Sequence, residues 1–235
     1  MRISQIIPKD RHGFLEYGIH DRITAFTPFR EATLPFPVLQ AHQVHGDRIE
    51  TIRSYDTTRE DLQGVDGLMT DLPGLAIAAR TADCIPVLMY DPVRNAVAAI
   101  HSGWKGTVRK ISGKAVRLMT GTYGSCPADL LAVIGPGIGP ESFQVGPEVA
   151  QAFSEAGFPM ELILSDRGPK IPGTMRGGLH IDLWKANLWI LLQSGLSENN
   201  ILVSGIDTYA CPELFSARRE GPACGRIVNT IRIRP

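Results

Sequence analysis

Residues 83–106 read DCIPVLMYDPVRNAVAAIHSGWKG. Two short apolar runs, residues 85–90 and 96–100, flank Asp91-Pro-Val-Arg-Asn95, whose Asp, Pro and Asn carry turn chemistry. The pattern predicts an antiparallel β-hairpin. Folded about Val93, the hairpin sets Cys84 nearly opposite His101 at the open end of the ladder. Facing Cβ atoms there are roughly 5 Å apart, so a thiol and an imidazole meet in space. Such a pair can be two ligands of a zinc ion, a nucleophile with its base, or inert neighbours under a packed sheet. Asp83 places an acid or base beside the thiol. The glycine-spaced HSGWKG loop favours a histidine facing a cleft over one facing a core.

Outward from this stretch, composition narrows the function classes. A chain of 235 residues buries a real core. Repeats, heptads and composition breaks are absent, so one domain spanning residues 1–235 is expected. Lys plus Arg equals Asp plus Glu, 24 each, which argues against nucleic acid or an acidic membrane held by bulk charge. No apolar run reaches the ~18 residues of a membrane span. The opening MRISQIIPKDRHG lacks a secretory pattern, and Cys84, Cys126, Cys211 and Cys224 have no disulfide-framework spacing. A cytoplasmic chain with reduced thiols is the expectation.

Along the chain, residues 1–30 read as irregular, with GFLEYGI as an edge strand and His12 and His20 on the surface. Residues 38–40 and 48–52 read as strands around HQVHG. In extended chain His42 and His45 point to opposite faces, so one of them, His45 before Gly46, is the candidate ligand. Residues 66–70 and 75–79 read as further strands. Thr107 is expected to cap a helix to about Met119, with Val108, Ile111, Ala115 and Leu118 on one face and Gly121 as its stop. Lys105 and Arg109 would flank its start, where orphan N–H groups attract anions. Residues 129–134 read as a buried strand leading into GPGIGP, a restricted turn without the order of a dinucleotide fingerprint. Pro147 suits the first position of a helix through Phe153. Residues 165–178 read as a surface loop. Asp182 caps a helix with Leu183, Ala186, Ile190 and Leu191 buried and Gly195 at its end. Residues 201–206 and 226–233 read as strands.

The set QVHG, DGLMT, TADCIPVLMYD, AIHSGWKG, IGPGIG and LFSARREG followed by GR resembles the YfiH-like family, described both as laccase-like multicopper polyphenol oxidases and as purine nucleoside phosphorylases. The likeness runs from about residue 40 to the C-terminus. It implies an α/β (α+β) sandwich, a mixed β-sheet flanked by helices and related to cysteine hydrolases. It also implies a zinc ion held by His45, Cys84 and His101. The chain departs from the family near its N-terminus, where a Gly-Gly-Val-Ser segment and an Asn-Arg pair are lacking. It also has Asp207-Thr208-Tyr209 where Cys-Thr-Tyr is common, with Cys211 displaced.

Three ligands of mixed N and S type leave a fourth position for water, the pattern of catalytic zinc. A multicopper site needs far more imidazoles than the six histidines here, so copper is the lesser alternative, favoured only by its higher affinity. The resemblance implies an enzyme of purine nucleosides with two reactions: phosphorolysis of adenosine, inosine or methylthioadenosine, and deamination of adenosine by zinc-activated water. Asp83 is the expected proton shuttle. Lys105 and Arg218 are the expected phosphate holders, and Tyr209 or Phe215 the purine stack. The partners are thus a nucleoside and phosphate; the sequence leaves the oligomeric state open. The alternatives are a cysteine-dependent amidase acting on a cell-wall precursor, with Cys84 as nucleophile and His101 as base, a copper-dependent polyphenol oxidase, and a metal-stabilised binding protein without turnover.

Overall fold

A computed structural model of the chain describes residues 13–169 and 177–235; His12 and part of the loop expected over residues 165–178 lie outside them. The strands in chain order are β1 (Phe14–Glu16), β2 (Ile23–Pro28), β3 (Leu39–Gln40), β4 (Ile49–Thr51), β5 (Gly67–Thr70), β6 (Ala76–Thr81), β7 (Ile85–Asp91), β8 (Ala96–Ser102), β9 (Leu131–Ile134), β10 (Gln144–Val145), β11 (Leu164–Asp166), β12 (Leu179–Ile181), β13 (Ile201–Val203) and β14 (Ile227–Ile233). The helices are α1 (Trp104–Val108), α2 (Ile111–Tyr123), α3 (Pro147–Glu155), α4 (Met160–Ile163), α5 (Leu183–Gln193) and α6 (Ala217–Glu220).

β7 and β8 form the expected hairpin at the centre of a six-stranded sheet ordered β13-β9-β7-β8-β5-β4. Every residue of both strands is buried, because this sheet is covered on both faces. Val87, Met89, Ala98 and Ile100 pack toward Ile111 and Ala115 of α2 and Leu183 and Ile190 of α5. Leu88, Tyr90, Val97 and Ala99 turn the other way, onto Ile77 and Ile231 of a five-stranded sheet ordered β1-β2-β14-β6-β3. Burial on both sides explains why these strands read as continuous apolar runs without alternation. β10, β12 and β11 make a small third sheet. Parallel pairs (β3 with β6, β4 with β5, β9 with β13) join antiparallel ones, so the pairing is mixed. The α/β sandwich is as expected, with two large stacked sheets, a helical layer and the small third sheet.

Several elements are as read. β1 is an edge strand. Pro147 opens α3. Asp182 caps α5 by accepting the Lys185 N–H at 2.9 Å, and the four predicted α5 residues are buried. Others differ. β2 lies within the segment expected to be irregular. His20 is half-buried against the Tyr90 ring, 5.1 Å between centroids, and pairs with Asp21. The helix expected from Thr107 is two helices, broken where Lys110 takes a left-handed conformation, φ 57°. Thr107 lies inside α1, its hydroxyl bonded back to the Gly103 carbonyl at 3.0 Å. The break resets the helical register: Ile111, Ala115 and Met119 are buried while Leu118 is exposed. α2 also runs past Gly121 and stops at Gly124, φ 73°. β14, by contrast, largely keeps the alternation of its sequence: Ile227, Asn229, Ile231 and Ile233 are buried and Val228 and Arg232 are half-buried, with β2 and β6 on its two edges.

Candidate metal centre and cleft

The hairpin register pairs Asp91 with Ala96 and Pro86 with His101. The four-residue loop shifts the fold axis, so Cys84 faces Gly103 and meets His101 diagonally rather than directly. By the alternation of β8, His101 shares the inter-sheet face with Val97 and Ala99, while Ser102 faces the helices and bonds Asn187 of α5 at 2.8 Å. The ligand atoms of His45, Cys84 and His101 all lie within 4.8 Å of one another. The two imidazoles stand edge to face with centroids 4.8 Å apart. A Cβ on Gly103 would lie 2.9 Å from the Cys84 sulfur, so glycine there keeps the thiol in place. His42 shares the cleft but not the cluster.

Asp66, read from sequence only as the start of a strand, organises both histidines. One carboxylate oxygen accepts the His45 N–H at 2.9 Å and contacts His101 Nδ1 at 2.8 Å. The other accepts from the N–H groups of Gly46 at 2.7 Å and Val44 at 3.3 Å. Three successive N–H groups thus wrap one carboxylate, and His45 holds a left-handed conformation, φ 60°, at the centre of that turn. Occupying His101 Nδ1 leaves Nε2 as the ring atom for a ligand or a proton. Burial opposes ionisation of Asp66, yet the His101 hydrogen bond, the Gly46 N–H and the His101 charge hold its carboxyl below the ordinary range. Burial also opposes ionisation of Cys84, but the charge and hydrogen bonds of His101 and His45 bring the thiol down to about 6. For His101, burial lowers the pKa, and Cys84 and Asp66 outweigh it and push the imidazole up to about 9. Each group thus favours the charged form of the other, thiolate beside imidazolium.

Asp83 holds the bend before Cys84. Its backbone is left-handed, φ 88°, and its carboxylate accepts from the Thr208 hydroxyl and the Arg218 N–H, both at 2.7 Å. Its carbonyl accepts the Ile138 N–H at 2.8 Å. The GPGIGP turn packs directly on this bend: a Cβ on Gly137 would lie 2.4 Å from the Ile85 side chain and 3.0 Å from the Asp83 carbonyl oxygen. The restricted turn read from sequence is thus a clamp on the Cys84 loop.

The cluster lies at one side of a cleft of about 590 Å³ walled by Arg59, Arg80, Arg226 and Cys224. Of these arginines only Arg226 stood in a quoted motif, the GR after LFSARREG, and none was assigned a role; they share no spacing. The other expected substrate residues lie elsewhere. The Lys105 ammonium lies 5.6 Å from the Trp104 ring centroid. The Arg218 guanidinium reaches the carbonyls of Ser142 and Gln144 and stands 5.7 Å over Phe143. Tyr209 packs against the helical-side core, and Phe215 stacks beneath Arg30 at 4.7 Å. None of these four is among the described residues lining the cleft.

The donor set fits a metal ion. The three ligand atoms are close enough to converge on one ion, and imidazole and thiolate are the donor types that zinc takes. His101 and His45 lower the Cys84 pKa toward the thiolate that a metal binds, and the exposed His45 leaves one side of the cluster open. Two imidazoles and one thiolate do not build a multicopper site.

The sequence matches the family described as "Multi-copper polyphenol oxidoreductase laccase" over residues 28–234. A protein of Bacteroides thetaiotaomicron named purine nucleoside phosphorylase is 43% identical over 176 residues, covering 74% of this chain and 63% of that protein. A protein from an unknown prokaryote named adenosine deaminase RL5 is 35% identical, covering 83% of this chain and 74% of its own length. The chain thus spans less than two thirds of the Bacteroides relative. The crystal structure of the Bacillus licheniformis hypothetical protein YfiH superposes with a TM-score of 0.84 at 27% identity, covering 96% of this chain and 98% of that one.

Proposed function

The chain belongs to the YfiH-like family of multi-copper polyphenol oxidoreductase laccases, and on that premise we propose that it is a zinc-dependent enzyme of purine nucleosides. Its reactions are phosphorolysis of adenosine, inosine or methylthioadenosine and deamination of adenosine. Relatives carry the names of both activities. The observation that carries the proposal is the His45–Cys84–His101 cluster, open on one side, facing a cleft large enough for a nucleoside.

Held by those three side chains, zinc supplies Lewis acidity that brings the ionisation of water toward neutral pH. Asp66 fixes the tautomer of His101 and the turn that presents His45. Asp83, with both carboxylate oxygens engaged, holds the Cys84 bend. Deamination exchanges the C6 amine of adenosine for oxygen from water and releases ammonia. Phosphorolysis forms a bond from phosphate oxygen to C1′ and breaks the C1′–N9 bond. The base leaves with the bonding electrons and gains a proton.

Purified protein incubated with adenosine, with and without phosphate, tests this. Inosine without phosphate, and free base plus ribose 1-phosphate with it, are expected. Absence of all these products from zinc-loaded protein sinks the proposal.

A second reading has its own observation. Cys84, His101 and Asp66 stand in the order of thiol, imidazole and carboxylate, with the thiol ionised. That arrangement suits a cysteine hydrolase. Stoichiometric zinc lost on Cys84→Ala favours the metal enzyme; a covalent substrate adduct on Cys84 in metal-free protein favours the hydrolase.

A further inference from the structure

We propose that Arg59, Arg80 and Arg226 form a binding site for a tetrahedral oxyanion, filled by inorganic phosphate, beside the metal-ligand cluster. That the anion is a co-substrate rests on the purine-nucleoside reading; that the site binds an anion does not.

Three guanidinium groups line one cleft, and no Asp or Glu is among the described residues lining it. None of the three makes an ion pair among the described residues. The Nε atoms of Arg59 and Arg80 are buried without a hydrogen-bond partner. Buried polar groups are normally satisfied, and buried charges are normally paired. Burial lowers the Arg80 pKa, and the charges of Arg59 and Arg226 lower it further. The free cleft thus gathers like charges without a carboxylate among its described lining residues, a cost that a bound dianion offsets.

The donors are also held in place. The Gln43 side chain grips the Arg80 backbone on both sides, donating to its carbonyl and accepting from its N–H, each at 2.8 Å. The Arg226 guanidinium is braced by the carbonyls of Pro222, Cys224 and Gly225. Planar guanidinium groups present paired N–H donors that match a phosphate edge, so fixed arginines select a tetrahedral oxyanion over a diffuse counterion. Gln43 and His45 belong to one turn, so the segment that presents a metal ligand also fixes the anion donor. A nucleoside against the metal cluster would have an anion at its flank, as attack at C1′ requires.

Calorimetric titration of the full-length, zinc-loaded chain with inorganic phosphate tests the site, with Arg80→Gln, Arg226→Gln and, as a control outside the cleft, Arg53→Gln. The readout is dependence on the arginines, because a metal ion nearby also attracts phosphate. Saturable binding that weakens tenfold or more in the two cleft variants and is retained in the control supports the site, provided zinc content and melting temperature stay at wild-type values. Equal phosphate affinity in all four proteins, or no saturation at tens of millimolar phosphate, overturns it. In a second arm, titration with adenosine 5′-monophosphate separates the sources of the same chemistry. Arginine-dependent binding of the nucleotide with none of free phosphate overturns the assignment to inorganic phosphate. Arginine-dependent phosphate binding in a protein that turns over no nucleoside keeps the anion site and rejects the nucleoside reading.

Discussion

Asp66→Asn changes one oxygen of a buried carboxylate into an NH2 group and alters almost no volume. The carboxylate takes four hydrogen bonds, two on each oxygen: His45 N–H and His101 Nδ1 on one, Gly46 N–H and Val44 N–H on the other. The amide NH2 meets either the Gly46 and Val44 N–H donors or the His45 N–H and a His101 ring forced into its other tautomer. Hydrogen bonds to a charged group contribute about 1.5–3 kcal/mol each, so two lost bonds cost about 3–6 kcal/mol before relaxation. The cost divides between two observables. Losing the carboxylate partner of a histidine ligand typically weakens metal binding 10–100-fold, about 1.4–2.8 kcal/mol. The rest falls on the fold; about 3 kcal/mol corresponds to a melting temperature lower by about 6–12 °C in a chain of this size. Zinc affinity is measured by competition with a chromophoric chelator, stability by thermal unfolding of the metal-free protein. The His101 ring tautomer is followed by nitrogen NMR, a signature that a purely structural residue would not move. Zinc affinity within threefold of wild type with an unchanged His101 tautomer would refute the idea that one carboxylate builds both histidine positions.

Three other substitutions or titrations probe the same architecture. Metal-free Cys84 titrates near 6 and His101 near 9. The depressed thiol adds stability as pH rises from 6 to 9, while the raised imidazole loses it as pH rises from 6.5 to 9; the two slopes cancel. Stability of the metal-free chain is expected to change little from this pair across that window by urea titration, and zinc uptake at pH 7 to release about one proton, from His101. Asn187→Ala removes the partner of the buried Ser112 hydroxyl and one of two partners of Ser102, which keeps Thr107; the unmatched Ser112 is expected to cost about 1–3 kcal/mol by chemical denaturation, and a loss below about 0.5 kcal/mol would contradict the assignment. Glu220, hydrogen-bonded to Arg30 and Arg219, titrates at about 2. Its contribution is complete above the ordinary glutamate pKa of 4.5 and is lost as pH falls through 2, so Glu220→Gln should flatten the acid limb of the stability profile.

Sequence and structure divide along the range of the interactions involved. The hairpin of β7 and β8, the Pro147 and Asp182 helix starts and the GPGIGP turn were legible because each depends on neighbours within a few residues. Cys84 and His101 came with the hairpin; His45 was preferred to His42 on strand alternation and Gly46, but the segment is a left-handed turn at His45, not extended chain, and both histidines line the cleft. Reading the helix after Trp104 as continuous failed because Lys110 breaks it in a left-handed conformation that no local residue type announces. β2 escaped notice although one partner, β1, is close in sequence; its other partner, β14, comes from the far end of the chain.

By itself, then, the order of residues determined the central hairpin, the Pro147 and Asp182 helix starts and the three candidate ligand side chains, while burial of the central strands on both faces came from the stacking of the sheets. Only tertiary structure decided that Asp66 serves both histidines, that Asp83 grips its own bend, and that Arg59, Arg80 and Arg226 share one wall while Lys105 and Arg218 turn elsewhere. The physical reason is that a carboxylate or guanidinium takes its role from the donors and charges that surround it. Those neighbours are brought together by the stacking of two sheets, which leaves no periodic trace in the spacing of polar residues.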